Sequence, residues 1–315
     1  MISFENLTKA YQGTTVLGSA NQGVSGEIEA GGITSIIGAN GAGKSTLLTI
    51  LGRLLDPTTG IVHVGGLDVA RTPSATLARK LAILRQDNHT TARLRVRELV
   101  AMGRFPHSRG RLTPGDLAAV EQAMEFVNLT ELADRFIDQM SGGQRQRAFI
   151  AMVLAQDADY ILLDEPLNNL DMRHSVQMMQ QLRRAADELG RTVVMVMHDL
   201  NFAAAYSDQL MAMADGQVVA HGPVRELMDG RLLTGVFGTP VQVMDVDGSP
   251  TAVYCMGKAC PPGMRCSQVP CCCEQRDRLR VGLDTTPVGQ RLPISPRLPV
   301  WGRRSGAVDQ QVGQR

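Results

Sequence analysis

The chain has 315 residues, of which 43% are hydrophobic and 20% are charged, and its formal net charge is +1. This length allows one large domain or two small ones with a full hydrophobic core. The near-zero charge argues against nucleic acid as a partner, because a polyanion requires a basic surface. The sequence has no run of 18 or more apolar residues, and its N-terminus lacks the basic start and apolar block of a signal peptide. We therefore expect a protein that stays in the cytoplasm.

The first part of the chain predicts short strands followed by one buried strand. Ile2–Phe4 alternates with polar residues, and a second strand starts at Val16. The stretch from Gly18 to Gly32 is rich in Gly, Ser, Asn and Gln, which favours a long hairpin connection. The apolar, β-branched run Ile33–Ile37 then predicts a buried strand.

The sequence GANGAGKST at Gly38–Thr46 fits the phosphate-binding P-loop pattern G-x-x-x-x-G-K-[ST]. A strand precedes it and an apolar helix follows, so backbone N–H groups and a helix N-terminus would point at an anion. Lys44 would reach the β- and γ-phosphates of a nucleotide, and the Ser45 hydroxyl would hold Mg²⁺. The alternative is a glycine-rich turn that binds nothing, which the strand–loop–helix context disfavours. The predicted phosphate-binding residues are Gly38, Asn40, Gly41, Gly43, Lys44, Ser45 and Thr46.

The middle of the chain predicts two short strands and then a mostly helical region. The strands are Ile61–Val64 and Ala82–Leu84, and the helical region covers about residues 90–155. Thr113-Pro114-Gly115-Asp116 is typical of a helix start, with a cap residue, a proline and an acid in the first turn.

A second chemical motif is the apolar run Tyr160–Leu163, which is followed directly by Asp164 and Glu165. An acid at the end of a buried strand beside a P-loop is the Walker B arrangement. Asp164 would hold Mg²⁺ directly or through water, and Glu165 could act as general base on an attacking water. The alternative is an ordinary strand end with two surface acids.

The remaining body alternates helices and strands. An amphipathic helix begins near Val176 and ends at Gly190, and Thr192–Met197 predicts a buried strand. Asp215-Gly216 predicts a tight hairpin turn, and Thr251–Tyr254 a last strand. This alternation indicates a largely parallel sheet covered on both faces.

Residues 256–315 differ in kind, being rich in Pro, Gly and Arg without a periodic apolar pattern. We interpret them as a disordered tail after a domain at residues 1–255, although a shifted reading frame in a GC-rich gene would give the same composition. All six cysteines lie between Cys255 and Cys273, at spacings that do not match a metal site, and the body has none. We expect neither a bound metal there nor a disulfide framework.

The segment Ser141–Arg147 (SGGQRQR), preceded by Met140, resembles the LSGGQ signature of ABC ATPases. It lies between the P-loop and the Walker B strand, where an unrelated Ser-Gly-Gly turn is uncommon. Ser141 and the glycines predict a helix start with an anion-binding N-terminus. The resemblance implies an α/β P-loop NTPase fold, with an antiparallel β subdomain and a helical signature subdomain near residues 88–157.

The resemblance also implies roles for single residues. Tyr11 matches the aromatic residue that stacks on adenine, the alternative being a buried strand tyrosine. Gln86 matches the Q-loop glutamine, which senses Mg²⁺ and the lytic water; the alternative is a solvated glutamine. Asn169-Leu170-Asp171 matches the D-loop that crosses the dimer interface, and Asp171 would contact the nucleotide. His198 matches the switch histidine that contacts the γ-phosphate. The signature residues that would contact the nucleotide of the opposite protomer are Ser141, Gly142, Gly143 and Gln144.

One stretch is more specific within the family. Val100–His107 (VAMGRFPH) looks like the GR-x-P-H segment of ferric-siderophore importer ATPases, a group that includes cobalamin and haem relatives. Residues 86–89 and Leu170–His174 look like the same branch. We predict that the permease contacts Gln86 to about Thr113, with Arg104 and Phe105 as anchors. The alternative is that Phe105 is a core residue of the helical subdomain.

Taken together, the resemblance implies a Mg²⁺-dependent ATPase that acts as a homodimer. It would energise integral membrane permease subunits from the cytoplasmic face of the membrane, and a substrate-binding protein would take part indirectly. A soluble, non-transport ABC ATPase is an alternative, but such proteins carry a long coiled coil or two ATPase domains, and neither is visible. A catalytically inactive subunit is disfavoured because Glu165 and His198 are both present.

Overall fold

The computed structural model of the protein describes residues 1–19, 22–86, 92–168 and 170–254. The predicted tail and its cysteines therefore lie outside the described residues, as do Asn169 and residues 87–91. The strands are β1 (Ile2–Tyr11), β2 (Thr14–Leu17), β3 (Val24–Ile28), β4 (Gly32–Gly38), β5 (Thr59–Val64), β6 (Leu67–Asp68), β7 (Leu81–Leu84), β8 (Tyr160–Asp164), β9 (Thr192–Val196), β10 (Gln209–Ala214), β11 (Gln217–Pro223), β12 (Gln242–Val246) and β13 (Ser249–Val253). The helices are α1 (Lys44–Leu51), α2 (Ser74–Leu77), α3 (Val96–Met102), α4 (Phe105–Ser108), α5 (Pro114–Phe126), α6 (Gly142–Ala155), α7 (Met172–Leu189), α8 (Leu200–Tyr206), α9 (Val224–Leu227) and α10 (Gly230–Phe237).

A six-stranded sheet in the order β11-β10-β4-β9-β8-β7 organises the described part of the chain. Strands β10, β4, β9, β8 and β7 run parallel, and β11 returns antiparallel at one edge. Every residue of β8 and β9 is buried, as expected for parallel strands covered on both faces. Because parallel strands end at the same edge, the residues that follow β4, β7, β8 and β9 are brought together there.

An antiparallel sheet at the N-terminus joins β2, β1, β5 and β6 in that order. The fifth strand, β3, also pairs antiparallel with β1. The prediction of a long connection from Gly18 to Gly32 is wrong, because β3 lies within it. The inward positions of β3 are Val24, Gly26 and Ile28, and the central glycine hides the alternating pattern. Gly26 is required there, since an added Cβ would lie 2.7 Å from Cζ of Phe4.

The segment between β7 and β8 is mostly helical where the structure describes it, as predicted. Helices α3, α5 and α6 pack around a core that includes Val120, Met124 and Val127. Thr113 caps α5 as predicted: its hydroxyl accepts a bond from the Asp116 backbone N–H, and the Asp116 carboxylate accepts from the Thr113 N–H.

In the C-terminal half of the described chain, the predicted helix, buried strand, hairpin and last strand occur in the predicted order, whereas α8, α9, α10 and β12 were not predicted. Asp171 caps α7, and Gly190 ends it with a φ of 63°. The β10–β11 hairpin turns at Asp215 and Gly216, both with positive φ, and β12 pairs with β13. Within the described ranges, no helix combines the length and the apolar character needed to cross a membrane.

Candidate active site

The P-loop joins β4 to α1 at the carboxyl edge of the parallel sheet. Gly41 and Gly43 have φ values of 82° and 92°, a backbone conformation that glycine adopts without strain. Gly43 is also packed closely, since an added Cβ would lie 3.0 Å from the carbonyl oxygen of Val16. The two glycines therefore let the loop turn tightly into α1, whose N-terminal backbone N–H groups suit an approaching phosphate.

Lys44 is the first residue of α1 and is buried. Its Nζ donates hydrogen bonds of 2.9 Å to the carbonyl oxygens of Gly38 and Ala39, which hold the ammonium over the loop. Burial lowers the pKa of Lys44, and the carboxylates of Glu165 and Asp164 oppose that shift. Among the described residues no carboxylate is bonded to this buried ammonium, which therefore suits the charge of a phosphate.

The three predicted magnesium ligands line one cavity of about 250 Å³, together with Thr46, Thr49 and Arg85. Ser45 Oγ donates a 2.8 Å hydrogen bond to Asp164 Oδ1, and Gln86 follows β7. Burial raises the pKa of Asp164, while the Ser45 hydroxyl counters the shift. A hydroxyl, a carboxylate and an amide oxygen are the hard ligands that Mg²⁺ prefers, and it commonly takes only one or two carboxylates besides phosphate. The donor set therefore fits Mg²⁺, and the described residues hold no cluster of three His, Cys, Asp or Glu that would favour another metal.

Glu165 is held by three side chains from different parts of the chain. Its Oε2 accepts a 2.8 Å hydrogen bond from Gln86 Nε2 and a second bond from Asn168 Nδ2. Its Oε1 is bonded to Nε2 of His198, which follows β9. Glu165 also has a φ of 50°, a conformation that is uncommon for a residue with a side chain and often marks a functional site.

These residues surround a cavity of about 570 Å³, large enough for a nucleotide's phosphates and sugar. Residues predicted from the P-loop, together with Glu165, Gln86 and His198, thus line this one cavity. Sequence reasoning missed Val16 and Asn168. Asn168 had a weak signal, as an amide three residues after the acid, whereas nothing local marked Val16. The lining residues are Val16, Asn40, Gly41, Gly43, Lys44, Ser45, Thr46, Gln86, Glu165, Asn168 and His198.

Tyr11 is not part of this lining. It ends β1 with 46% of its surface exposed, so the alternative of a buried strand tyrosine is wrong. The ammonium of Lys9 lies 5.3 Å from the centre of its ring, which shows that one face of the ring already attracts a cation. The adenine contact of Tyr11 stays a prediction.

The signature residues also lie outside the lining of the P-loop cavity in their own chain. Ser141 caps α6, its hydroxyl accepting from the Gln144 N–H at 3.3 Å, and the Gln144 side chain accepts from the Ser141 N–H at 3.1 Å. Gly142 and Gly143 form the first turn of α6, as predicted for a helix start. Asp171 caps α7 and accepts a 2.9 Å bond from the His174 N–H. The nucleotide contact that the D-loop resemblance implies for Asp171 stays a prediction.

The segment predicted to contact a permease is divided between interior and surface. Arg104 is buried and bonded to Asp116 Oδ1 and to the carbonyl oxygen of Ala155, both at 2.9 Å, so it cannot be a surface anchor as it stands. Phe105, the next residue, is 65% exposed, so the alternative of a core phenylalanine is wrong. His107 Nε2 is bonded to the carbonyl oxygen of Gln156 at 2.9 Å, which ties the segment to the end of α6.

Comparisons with known proteins agree with this geometry. The ABC transporter family profile matches residues 21–168. The chain is 52% identical over 254 residues to the petrobactin import ATP-binding protein FatE of Bacillus anthracis, covering 81% of this chain and 100% of that protein. It is 40% identical over 261 residues to the ferric enterobactin transport ATP-binding protein FepC of Escherichia coli K12, covering 82% and 94%.

Solved structures give the same result. An inward-facing metal-chelate type ABC transporter matches with a TM-score of 0.68 at 28% identity, over 80% of this chain and 96% of that one. A dimeric ATP-binding cassette bound to ADP and Pi matches with a TM-score of 0.62 at 29% identity, over 71% and 99%. The chain therefore belongs to the family of ABC transporter ATP-binding proteins.

Proposed function

We propose that the chain binds and hydrolyses ATP to drive uptake of an iron(III)–siderophore complex through a membrane permease. The observation that carries the ATPase part is the meeting of Lys44, Ser45 and Glu165 around one cavity at the carboxyl edge of the sheet. Asp164 joins this group through its hydrogen bond from Ser45. The iron–siderophore part rests on relatives named for petrobactin and enterobactin, since no residue of an ATPase subunit needs to touch the transported chelate.

In this proposal, the N–H groups of the P-loop and the Lys44 ammonium bind the β- and γ-phosphates. Ser45, Asp164 and Gln86 would hold Mg²⁺, which supplies charge neutralisation on the phosphates when bound. Glu165 accepts the proton of the attacking water, and His198 orients the carboxylate and contacts the γ-phosphate. These groups stabilise charge that develops on the transferred phosphoryl oxygens, which is the main demand of this reaction.

We further propose that two copies act head to tail, each signature lying on the P-loop of the other. The position of Ser141 outside its own P-loop cavity supports this arrangement, as does the dimeric relative described above. The dimer would sit at the cytoplasmic face of the membrane against permease subunits, and a substrate-binding protein would deliver the chelate on the opposite side.

The Lys44→Ala variant tests this proposal. Loss of the ammonium should reduce ATP turnover of the purified protein at least 100-fold and abolish uptake of radiolabelled ferric siderophore, because the γ-phosphate loses its main cation. The matched control is Lys80→Ala, which removes a lysine that is half exposed and paired with Asp159. Near-normal hydrolysis by a folded Lys44→Ala protein would overturn the ATPase assignment, whereas normal hydrolysis without iron uptake in the wild type would overturn the transported substrate alone.

A further inference from the structure

The two oxygens of the Glu165 carboxylate have different surroundings. Oε2 accepts two amide hydrogen bonds, from Gln86 and from Asn168, whereas Oε1 is bonded only to His198 among the described hydrogen bonds. A carboxylate oxygen has two lone pairs available for hydrogen bonds. The two amides therefore occupy Oε2, and Oε1 keeps one lone pair.

We propose that Asn168 is a positioning residue that holds Oε2, so that Oε1 is the oxygen that receives the proton of the attacking water. This inference rests on the proposed role of Glu165 as general base. In the step itself, an O–H bond of water breaks and its proton passes to Oε1. The water oxygen forms a bond to the γ-phosphorus, and the bond from that phosphorus to the bridging oxygen breaks, its electron pair leaving with ADP.

Asn168 suits this role because its contact is local. It lies three residues after Glu165 in the same turn, where its backbone N–H donates a 3.2 Å bond to the Glu165 carbonyl oxygen. The bond from Gln86 instead spans 79 residues and comes from the end of β7. A change in the position of Gln86 relative to β8 would remove one amide from Oε2 and leave the other in place. Asn168 also lines the same cavity as Lys44 and Glu165.

The conformation of Glu165 makes such an anchor necessary. With its φ of 50°, the residue leaves the strand direction abruptly, and its side chain is only 12% exposed. A glutamate has several rotatable bonds, and rotation about the last one would exchange its two oxygens. Two donors fixed on one oxygen prevent that exchange and select the oxygen that meets the water.

Asn168→Asp is the decisive variant, because it keeps the shape of the side chain, removes the donor and places a like charge beside Glu165. We expect kcat to fall at least 10-fold, with KM and the dissociation constant for ATP within twofold of wild type and the melting temperature within about 2 °C. Asn168→Gln, which keeps the amide, should retain more activity than Asn168→Asp. Gln122→Ala is the matched control, since Gln122 is an exposed amide on α5 outside this cavity. A wild-type kcat for Asn168→Asp, or a fall explained by unfolding or lost ATP binding, would overturn the proposal.

Two further measurements separate this inference from its foundation. If Glu165→Gln keeps wild-type turnover, the base assignment itself fails; if it loses turnover while Asn168→Asp does not, only the role of Asn168 fails. The double variant Glu165→Gln/Asn168→Asp should form the ATP-dependent dimer as readily as Glu165→Gln alone. Loss of that dimer in size-exclusion chromatography would mean that Asn168 acts across the subunit interface and would overturn its role on Oε2.

Discussion

The end of β8 and the start of α6 are both candidate phosphate-contacting regions, yet their polar groups are used in opposite ways. At the end of β8, side chains bond across the fold: Ser45 to Asp164, Gln86 to Glu165 and His198 to Glu165, over 33 to 119 residues of sequence. At the start of α6, the side chains of Ser141 and Gln144 accept bonds from each other's backbone N–H groups, within one capping box. The first region is built from residues remote in the sequence of one chain, whereas the second is a local cap at the surface, at the start of one helix.

The difference explains why one motif makes a cavity and the other does not. The β8 region lies at the edge where the five parallel strands end, so that residues remote in sequence converge. The signature lies in the helical segment, which packs through its own helices α3, α5 and α6. In the proposed mechanism, each chain would hold the general-base site on its own, and a second chain would bring a signature to it.

The largest expected effect comes from breaking the β8 region at Glu165. Glu165→Gln keeps the size of the side chain but removes the proton acceptor, so we expect kcat for ATP hydrolysis to fall roughly 10²- to 10⁴-fold. ATP binding should persist, because Lys44, Ser45 and Asp164 are unchanged. The variant should therefore accumulate as an ATP-bound dimer in size-exclusion chromatography. A dimer fraction that does not respond to ATP would contradict the view that the signature completes the site from a second chain.

The sequence was sufficient wherever function depends on a contiguous motif. The P-loop glycines, Lys44, and the acids after the apolar β8 run could all be identified, because their geometry follows from a strand, a turn and a helix in succession. The same holds for the Ser141 helix start and the Asp215-Gly216 turn.

The sequence was insufficient where a role depends on a partner set by tertiary structure. Asn168 contacts a glutamate whose φ is 50°, and no local pattern announced that backbone conformation. Arg104 was interpreted as a surface anchor because it stands beside the aromatic Phe105. Its ion pair with Asp116 was not predicted, since the sequence assigned that acid to helix capping. Strand β3 was missed because Gly26 replaces the apolar residue that alternation would require, its space being filled by Phe4.

A smaller effect is expected from Asp116, which joins α5 to Arg104 inside the helical segment. Hydrogen bonds from the Thr113 backbone and hydroxyl and from Arg104 lower the pKa of Asp116 from 3.8 to about 2. A carboxylate whose pKa is lower in the folded state stabilises the fold above its unfolded pKa and loses that contribution as the pH falls through its folded pKa. We therefore expect Asp116→Asn to lower the melting temperature by several degrees at pH 7. The difference from wild type should shrink as the pH falls from about 4 to about 2.

The control for this experiment is Asp134→Asn. Asp134 is 68% exposed and pairs with Arg95 and Arg97 at the surface, where such pairs contribute little. Its removal should change the melting temperature by no more than about 2 °C at either pH. An Asp116→Asn difference that stays constant down to pH 2 would show that the lost stability comes from packing rather than from the charge of Asp116.

The smallest effect on the isolated protein is expected at Phe105, although it adjoins the buried Arg104. An aromatic ring with 65% exposure contributes little to the fold, and such a ring is a common anchor at protein interfaces. Met102, the last residue of α3, is also half exposed. Phe105→Ala should therefore leave the melting temperature and the ATPase rate of the purified chain unchanged, while membrane association and uptake of ferric siderophore fall.

Arg104→Ala should instead destabilise the fold. It leaves Asp116 buried without its cation and lowers the melting temperature on the order of 10 °C. Measuring stability, ATPase rate and radiolabelled iron uptake for both single variants separates the interior residue from the surface one. Normal uptake by a stable Phe105→Ala protein would remove Phe105 from the permease contact, and a loss of stability would place its ring in the fold after all.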